Sequence, residues 1–274
     1  MNPFTQLLND RATRVPIGTW VMSASPIVVE AVGCAGFDWG VIDMEHTPLD
    51  LMDLVHLLQA VGNTTMKPVV RVPWNDTVNV KRVMDAGANT LLFPFIQNAD
   101  EARRAVAATR YAPEGVRGMA GMSRASRFGT TPDHFRHANQ NVCVLVQMET
   151  PEAMGRLEEI AAVPGVDGLF VGPGDLSGVM GHVGNLTHPD VMDLMAEAGR
   201  RANALGMPFE QLCTMSEDRL GQDSRYWLDS SAIKKDIGWE PQIGWDEGLA
   251  EMVAWGRKYV DQIRDWPTDY VLRG

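Results

Sequence analysis

The sequence predicts an α/β fold: a (β/α) barrel of the TIM type, incomplete or modified at its last two βα units, with a C-terminal α-rich appendage. Three observations carry this reading. Short apolar runs alternate with helix-patterned stretches, most recurring about every 25 residues, as parallel βαβ units do. Residues able to do chemistry fall at the C-terminal ends of several different runs, whereas an open sheet would gather them at one switch point. Beyond residue 207 the alternation stops, and no eighth strand is visible.

The first strand is read at 15–21, followed by a helix at 26–34. The second, 37–43, opens onto Met44-Glu45-His46, and Thr47 or Asp50 caps the helix over 49–61. The third, 68–72, holds one charged residue, Arg71, among valines. A helix over 78–86 leads to the fourth strand at 90–95, and an Ala-rich helix spans 99–109. A longer connection rich in Gly, Arg and Met precedes the fifth strand, 142–149, which ends on Glu149. Pro151 then opens a helix over 151–162. The sixth strand, 168–171, runs into Gly172-Pro173-Gly174-Asp175, and 207–213 is a last candidate strand. After it come a polar loop at 218–223, a short strand at 225–229 and a helix from Ser230 through Ile237, stopped by Gly238. An extended piece at 239–243 precedes one long helix over 246–263, with Leu249, Met252, Val253, Val260 and Ile263 apolar.

Composition narrows the function. A chain of 274 residues, 45% hydrophobic, can build one large domain with an appendage. Its net charge of −11 and pI near 5.0 argue against nucleic-acid binding, which needs a basic footprint. No apolar run approaches the roughly 18 residues of a membrane span, and no signal peptide is read at the start. A cytoplasmic location is the expectation. Cys34, Cys143 and Cys213 match no zinc spacing, and Cys143 reads as a small buried hydrophobe.

Glu149 and Asp175 each close an apolar run, which places them at one end of a parallel sheet where they can share a divalent ion such as Mg²⁺, Mn²⁺ or Co²⁺. Both also stand where a helix cap would. His46 follows the second strand beside acids; a histidine so placed suits a general base or a helix-entry hydrogen bond. Arg71 is costly within an apolar strand unless paired, and its planar fork suits an enolate or carboxylate oxygen. Backbone N–H groups at Gly172-Pro173-Gly174-Asp175 can receive a carboxylate. The loop with Arg117, Arg124 and Arg127 either closes over an acidic substrate or is solvated surface. His134 and His137 read as surface, and His182 and His188 are unassigned.

The combined strings resemble the metal-dependent (class II) pyruvate aldolases of the HpcH/HpaI family over residues 1–207. The matches are Gly36-Phe37-Asp38-Trp39 through Asp43-Met44-Glu45-His46, Val70-Arg71-Val72-Pro73 with Asn75-Asp76, Asp85-Ala86-Gly87-Ala88 and Tyr111-Ala112-Pro113-Glu114-Gly115-Val116-Arg117-Gly118. Further on come Gln147-Met148-Glu149-Thr150, Val163-Pro164-Gly165-Val166-Asp167-Gly168-Leu169-Phe170-Val171-Gly172-Pro173, Asp175-Leu176-Ser177 and Met180-Gly181-His182. The resemblance implies Glu149 and Asp175 as metal ligands, Arg71 as enolate stabiliser, and His46, oriented by Asp85, as the proton-handling group. It implies substrate contacts at Gln147, Gly172, Gly174, Asp175 and Arg124. The family pattern often has Ala where Gly174 stands. The implied activity makes or cleaves 4-hydroxy-2-oxo acids through a pyruvate enolate, with no Schiff-base lysine. A homo-oligomer is expected because the edges of an incomplete barrel need a neighbouring subunit or the long C-terminal helix to cover them.

From about residue 216 the chain resembles instead the C-terminal tail of extended short-chain dehydrogenases acting on nucleotide sugars, such as dTDP-glucose 4,6-dehydratase. The strings are Asp218-Arg219-Leu220-Gly221-Gln222-Asp223-Ser224-Arg225-Tyr226, Leu228-Asp229-Ser230-Ser231-Ala232-Ile233-Lys234, Gly238-Trp239-Glu240-Pro241 and Glu247-Gly248-Leu249. That family's glycine-rich dinucleotide turn and Tyr-x-x-x-Lys pair are absent, so no NAD is expected. The expected division is a barrel at 1–207 and an appended segment at 208–274, as in a gene fusion. Two other readings stand beside the aldolase: a repurposed protein with a binding or assembly role, and an aldolase acting on a sugar- or nucleoside-derived aldehyde.

Overall fold

The computed structural model describes residues 2–9, 16–205, 235 and 245–258. The chain divides into two compact units, Met1–Thr214 and Met215–Gly274. In the first, six parallel strands pair in sequence order: β1 (Gly18–Val21), β2 (Trp39–Asp43), β3 (Lys67–Arg71), β4 (Thr90–Phe93), β5 (Cys143–Met148) and β6 (Gly168–Val171). All six C-terminal ends therefore lie at one end of the sheet. The sheet curls far enough for Trp20 of β1 to meet Phe170 of β6 edge-to-face at 5.9 Å.

Helices α2 (Pro26–Cys34), α3 (Leu51–Val61), α4 (Thr77–Asp85) and α5 (Ala99–Thr109) connect the first strands. Each begins at a residue whose side chain accepts from the first turn: Ser25, Asp50, Asp76 and Asn98. Asp50, rather than Thr47, caps α3, in a capping box with Asp53. The helix expected over 151–162 is two short ones, α7 (Pro151–Gly155) and α8 (Leu157–Ala161), because Arg156 leaves helical geometry directly after Gly155. The long connection before β5 holds 3₁₀ turns and the single-turn α6 (His134–His137).

Two helices escaped the sequence reading, α1 (Pro3–Asn9) and α10 (Pro189–Ala204), while α9 (Pro173–Val179) follows the tight strand-to-helix turn at Gly172-Pro173-Gly174. Val191, Leu194, Met195 and Ala198 repeat on one face of α10, so its signal was present.

The central strands β2, β4 and β5 are buried on both faces, as parallel strands are. Ile42, Val70, Leu91, Phe93, Val144 and Val146 pack outward with the helices. Val41, Val69, Leu92, Cys143 and Leu145 face the other way, where Phe4 of α1 joins them with Leu7 and Leu8 against its edge. Asn2 seats α1: its Oδ1 accepts from Phe4 N–H and Thr90 Oγ1, and its Nδ2 donates to the carbonyls of Asn89 and Asn141. The α1 helix thus plugs the N-terminal end of the sheet and leaves the other end for chemistry.

In the second unit, α11 (Trp245–Lys258) is helical, beginning one residue before the helix expected over 246–263, of which 259–263 lie outside the described residues. The expectations at 207–213, 218–229 and 239–243, and most of the helix from Ser230, lie outside the described residues. No described helix is long and apolar enough to cross a membrane.

Candidate active site

At the C-terminal end of the sheet a cavity of about 380 Å³ is lined by Trp20, His46, Arg71, Gln147, Glu149 and Asp175, with the turn through Gly172 and Gly174 closing one side. Strand order brings together side chains from β1, β2, β3, β5 and β6.

The register sets Asp43 directly beside Arg71. Arg71 donates from Nε and Nη2 to the two oxygens of Asp43, both at 2.8 Å, and its Nη1 lies 3.0 Å from Glu45 Oε2. The guanidinium also stacks under Trp20, 4.4 Å from the ring centroid. Burial pushes the Asp43 carboxyl up, but Arg71 and the N–H groups of Glu45 and His46 outweigh it and hold the group below the usual carboxylate range. The paired charge explains how a buried arginine is tolerated inside an apolar strand. Sequence reasoning singled out Arg71 and gave Asp43 and Glu45 no role. The clue was a second charge, Asp43, at the end of the neighbouring strand.

Glu149 lies one residue past β5 and is buried. Its Oε1 accepts from Gln147 Nε2 at 2.6 Å and its Oε2 from the Phe95 N–H at 3.0 Å. Burial pushes its carboxyl up to about 7; the Phe95 N–H pulls down, while the charges of Asp175 and Glu45 push further up. Gly172 makes this placement possible, since a Cβ there would sit 2.5 Å from Glu149 Oε1 and 2.7 Å from Gln147 Nε2. Asp175, in the first turn of α9, is exposed at the cavity.

These residues fit a divalent cation. A buried carboxylate faces a second carboxylate across one cavity, and Gln147 Oε1 and Glu45 Oε2 are buried acceptors without a hydrogen-bond donor, the latter ion-paired but misaligned. Oxygen donors of this kind suit Mg²⁺ or Mn²⁺. The cap reading of Glu149 is displaced by its neighbour: Thr150 caps α7.

His46 is exposed at the cavity, with Nε2 3.6 Å from Glu45 Oε2. Asp85, expected to orient His46, lies apart from it within this chain. Asp85, at the end of α4, instead accepts from Arg117 Nη2 at 2.8 Å, and Arg117 stacks on Tyr111. Asp43 shapes the His46 turn, accepting from the N–H groups of Glu45 and His46. Arg124 is likewise not a wall of the cavity: its Nη1 donates to the carbonyl of Ala86 at 3.0 Å, beside Asp85. Four of the catalytic and metal-binding candidates thus share the cavity, His46, Arg71, Glu149 and Asp175, while Asp85 and Arg124 gather elsewhere.

His182, His188 and Asp190 also cluster, with ligand atoms within 4.8 Å of one another. The two imidazoles stack nearly parallel at 3.4 Å, so their in-plane lone pairs do not converge on one point. His188 Nδ1 is already used as the cap of α10.

A sequence profile described as HpcH/HpaI aldolase/citrate lyase matches residues 16–223. The chain is 52% identical over 193 residues to a 2-dehydro-3,6-dideoxy-6-sulfogluconate aldolase of Pseudomonas putida, covering 70% of this chain and 76% of that one. It is 46% identical over 207 residues to a 5-keto-4-deoxy-D-glucarate aldolase of Salmonella arizonae, covering 76% and 81%. Among solved structures, an HpcH/HpaI aldolase/citrate lyase family protein from Burkholderia cenocepacia superposes with a TM-score of 0.71 at 42% identity, over 75% of this chain and 82% of that one.

Proposed function

The chain belongs to the HpcH/HpaI aldolase/citrate lyase family, and from that premise we infer that it is a metal-dependent, class II aldolase that makes or cleaves 4-hydroxy-2-oxo acids through a pyruvate enolate. The observation that carries this reading is Glu149. It is buried, held at each oxygen by one donor, and shares its cavity with Asp175 and Arg71.

Glu149 and Asp175 would hold the divalent ion. When bound, it supplies Lewis-acid polarisation of the keto oxygen of a 2-oxo acid. Arg71, preorganised by Asp43, Glu45 and Trp20, is aimed to stabilise negative charge developing on that oxygen. His46 takes or returns a proton through a water at the exposed side of the cavity, with Glu45 as its near carboxylate. First-turn N–H groups at Gly174 and Asp175 receive the substrate carboxylate. Gln147 fixes Glu149 and closes the pocket behind the substrate, and Gly172 gives both room. Asp85 and Arg124, tied to Arg117 and Ala86, serve this chain's own pocket only through the loop they anchor. The names of the relatives favour a sugar-acid-derived aldehyde as the second substrate. The protein works as a cytoplasmic homo-oligomer, and residues 208–274 are an appended segment of dehydratase-tail origin. The family match, 16–223, runs into the first part of this segment and supports a separate origin only for the residues beyond 223.

Proton–deuterium exchange at the pyruvate methyl group, followed by NMR in D₂O, tests the reading without knowledge of the aldehyde. Exchange is expected with Mn²⁺ or Mg²⁺ and is expected to vanish with EDTA or in Glu149→Ala. Folded, metal-supplemented protein that exchanges no faster than buffer would sink it.

A further inference from the structure

Phe95 departs from ordinary backbone geometry directly behind the candidate metal ligand. It is not glycine, yet its φ is +54°, in the left-handed region that a bulky side chain rarely adopts. The chain has just left β4 at Phe93, and Pro94 has no N–H to give. The turn then presents two successive N–H groups to the end of β5: Phe95 to Glu149 Oε2 at 3.0 Å and Ile96 to the Gln147 carbonyl at 2.9 Å. One residue on, Gln97 Oε1 accepts from Thr150 Oγ1 at 2.6 Å. Residues 95–97 are thus laced to 147–150, and the only one of these bonds to the Glu149 side chain itself comes from the strained residue. Consecutive N–H groups in a turn with a left-handed residue form a natural cradle for an anion.

A ring holds the strained residue from outside. Trp74, in the turn after β3, stacks on Phe95 with ring centroids 6.1 Å apart and planes 26° apart, although the indole is 53% exposed. Its neighbour Asn75 ties that turn to α5, donating from Nδ2 to the Glu101 carbonyl at 3.0 Å. A half-exposed tryptophan contributes less to the core than a buried one, so its contact with Phe95 is the feature to explain.

We propose that Phe95, clamped by Trp74, is a positioning residue for Glu149. The left-handed backbone aims its N–H at one carboxylate oxygen, and the stacked rings keep it there, so that the carboxylate plane is set before a cation arrives. The proposal rests on Glu149 being a metal ligand only for its consequence, not for its geometry, and the test separates the two.

In metal-free full-length protein labelled with ¹⁵N-Phe, which carries eight phenylalanines, Glu149→Gln is expected to move the Phe95 amide proton upfield. On a Trp74→Ala background that resonance should already lie upfield, and Glu149→Gln should move it much less. Trp74→Phe, which keeps a ring, should behave as wild type. Mn²⁺ affinity, read by EPR of the free ion, should fall about tenfold in Trp74→Ala and in Phe95→Gly and recover in Trp74→Phe. Phe95→Gly should stay folded, because glycine accepts the backbone angle. An unchanged response of the Phe95 amide in Trp74→Ala, with Mn²⁺ affinity as in wild type, would overturn the proposal even if thermal stability dropped. Wild-type protein that binds no Mn²⁺ but shows the expected amide behaviour would remove the metal reading of Glu149 and leave the positioning role standing.

Discussion

Gly172 and Gly174 stand two residues apart in one turn, and the space around them differs sharply. A Cβ at 172 would press on Glu149 and Gln147, whereas a Cβ at 174 meets nothing within 4 Å. Gly174→Ala should therefore leave metal-dependent pyruvate exchange within about twofold, which fits a family pattern that often has Ala there. Gly172→Ala should reduce it by about 100-fold, since ligands displaced by an ångström lose most of their effect; comparable rates in the two variants would refute the packing argument. Asp43 offers a second test. Breaking its pair with Arg71 should destabilise the protein by about 3 kcal/mol, because a buried charge loses its partner. The folded carboxyl titrates below its unfolded value, so the pair's contribution is complete above the ordinary carboxylate range and is lost as pH falls through the lower folded value. The difference in melting temperature between wild type and Asp43→Asn should thus persist from pH 8 to pH 5 and narrow only under stronger acid. Cys143 is buried and its thiol is pushed up to about 12, chiefly by burial. Iodoacetamide at pH 8 should label exposed Cys34 and spare Cys143 in native protein, as peptide mapping can check.

Among the elements, Thr150 shows how a cap and a site share a residue. Its hydroxyl accepts from Ala153 N–H to start α7 and donates to Gln97 across the turn. Thr150→Ala should cost about 1 kcal/mol, read as a fall in melting temperature of roughly 2–4 °C, and Thr150→Ser should recover most of it. Element identity was legible because it is local. Strand runs of β-branched residues, a proline at the first helical turn and Asp or Asn before a helix act over a few residues, and α2 and α5 fall on their expected ranges. The misreadings were local contests. The single helix expected over 151–162 breaks at Arg156 after Gly155, and β4 stops at Phe93 rather than 95 because Pro94 and the left-handed Phe95 end the ladder.

Across the first unit, burial is deepest in the middle of the sheet and shallower at β1 and β6, where every residue of β6 is partly exposed. Native-state hydrogen exchange should find the slowest amides in β2 to β5 and faster ones in β1, β6 and the exposed loop around 119–122; uniform protection would contradict that gradient. The curl that lets Trp20 reach Phe170 also turns five strand ends toward one cavity. Periodicity and capping were sufficient for the order of the six βα units and for acids at the strand ends, since those signals are carried by neighbours in the chain. The partnerships needed register and curvature. Arg71 meets Asp43 across 28 positions, Glu149 meets the Phe95 N–H across 54, and Asp85 meets Arg117 rather than His46 across 32. No local pattern encodes such distances, because a pairing of that kind exists only once parallel strands have aligned and the sheet has rolled.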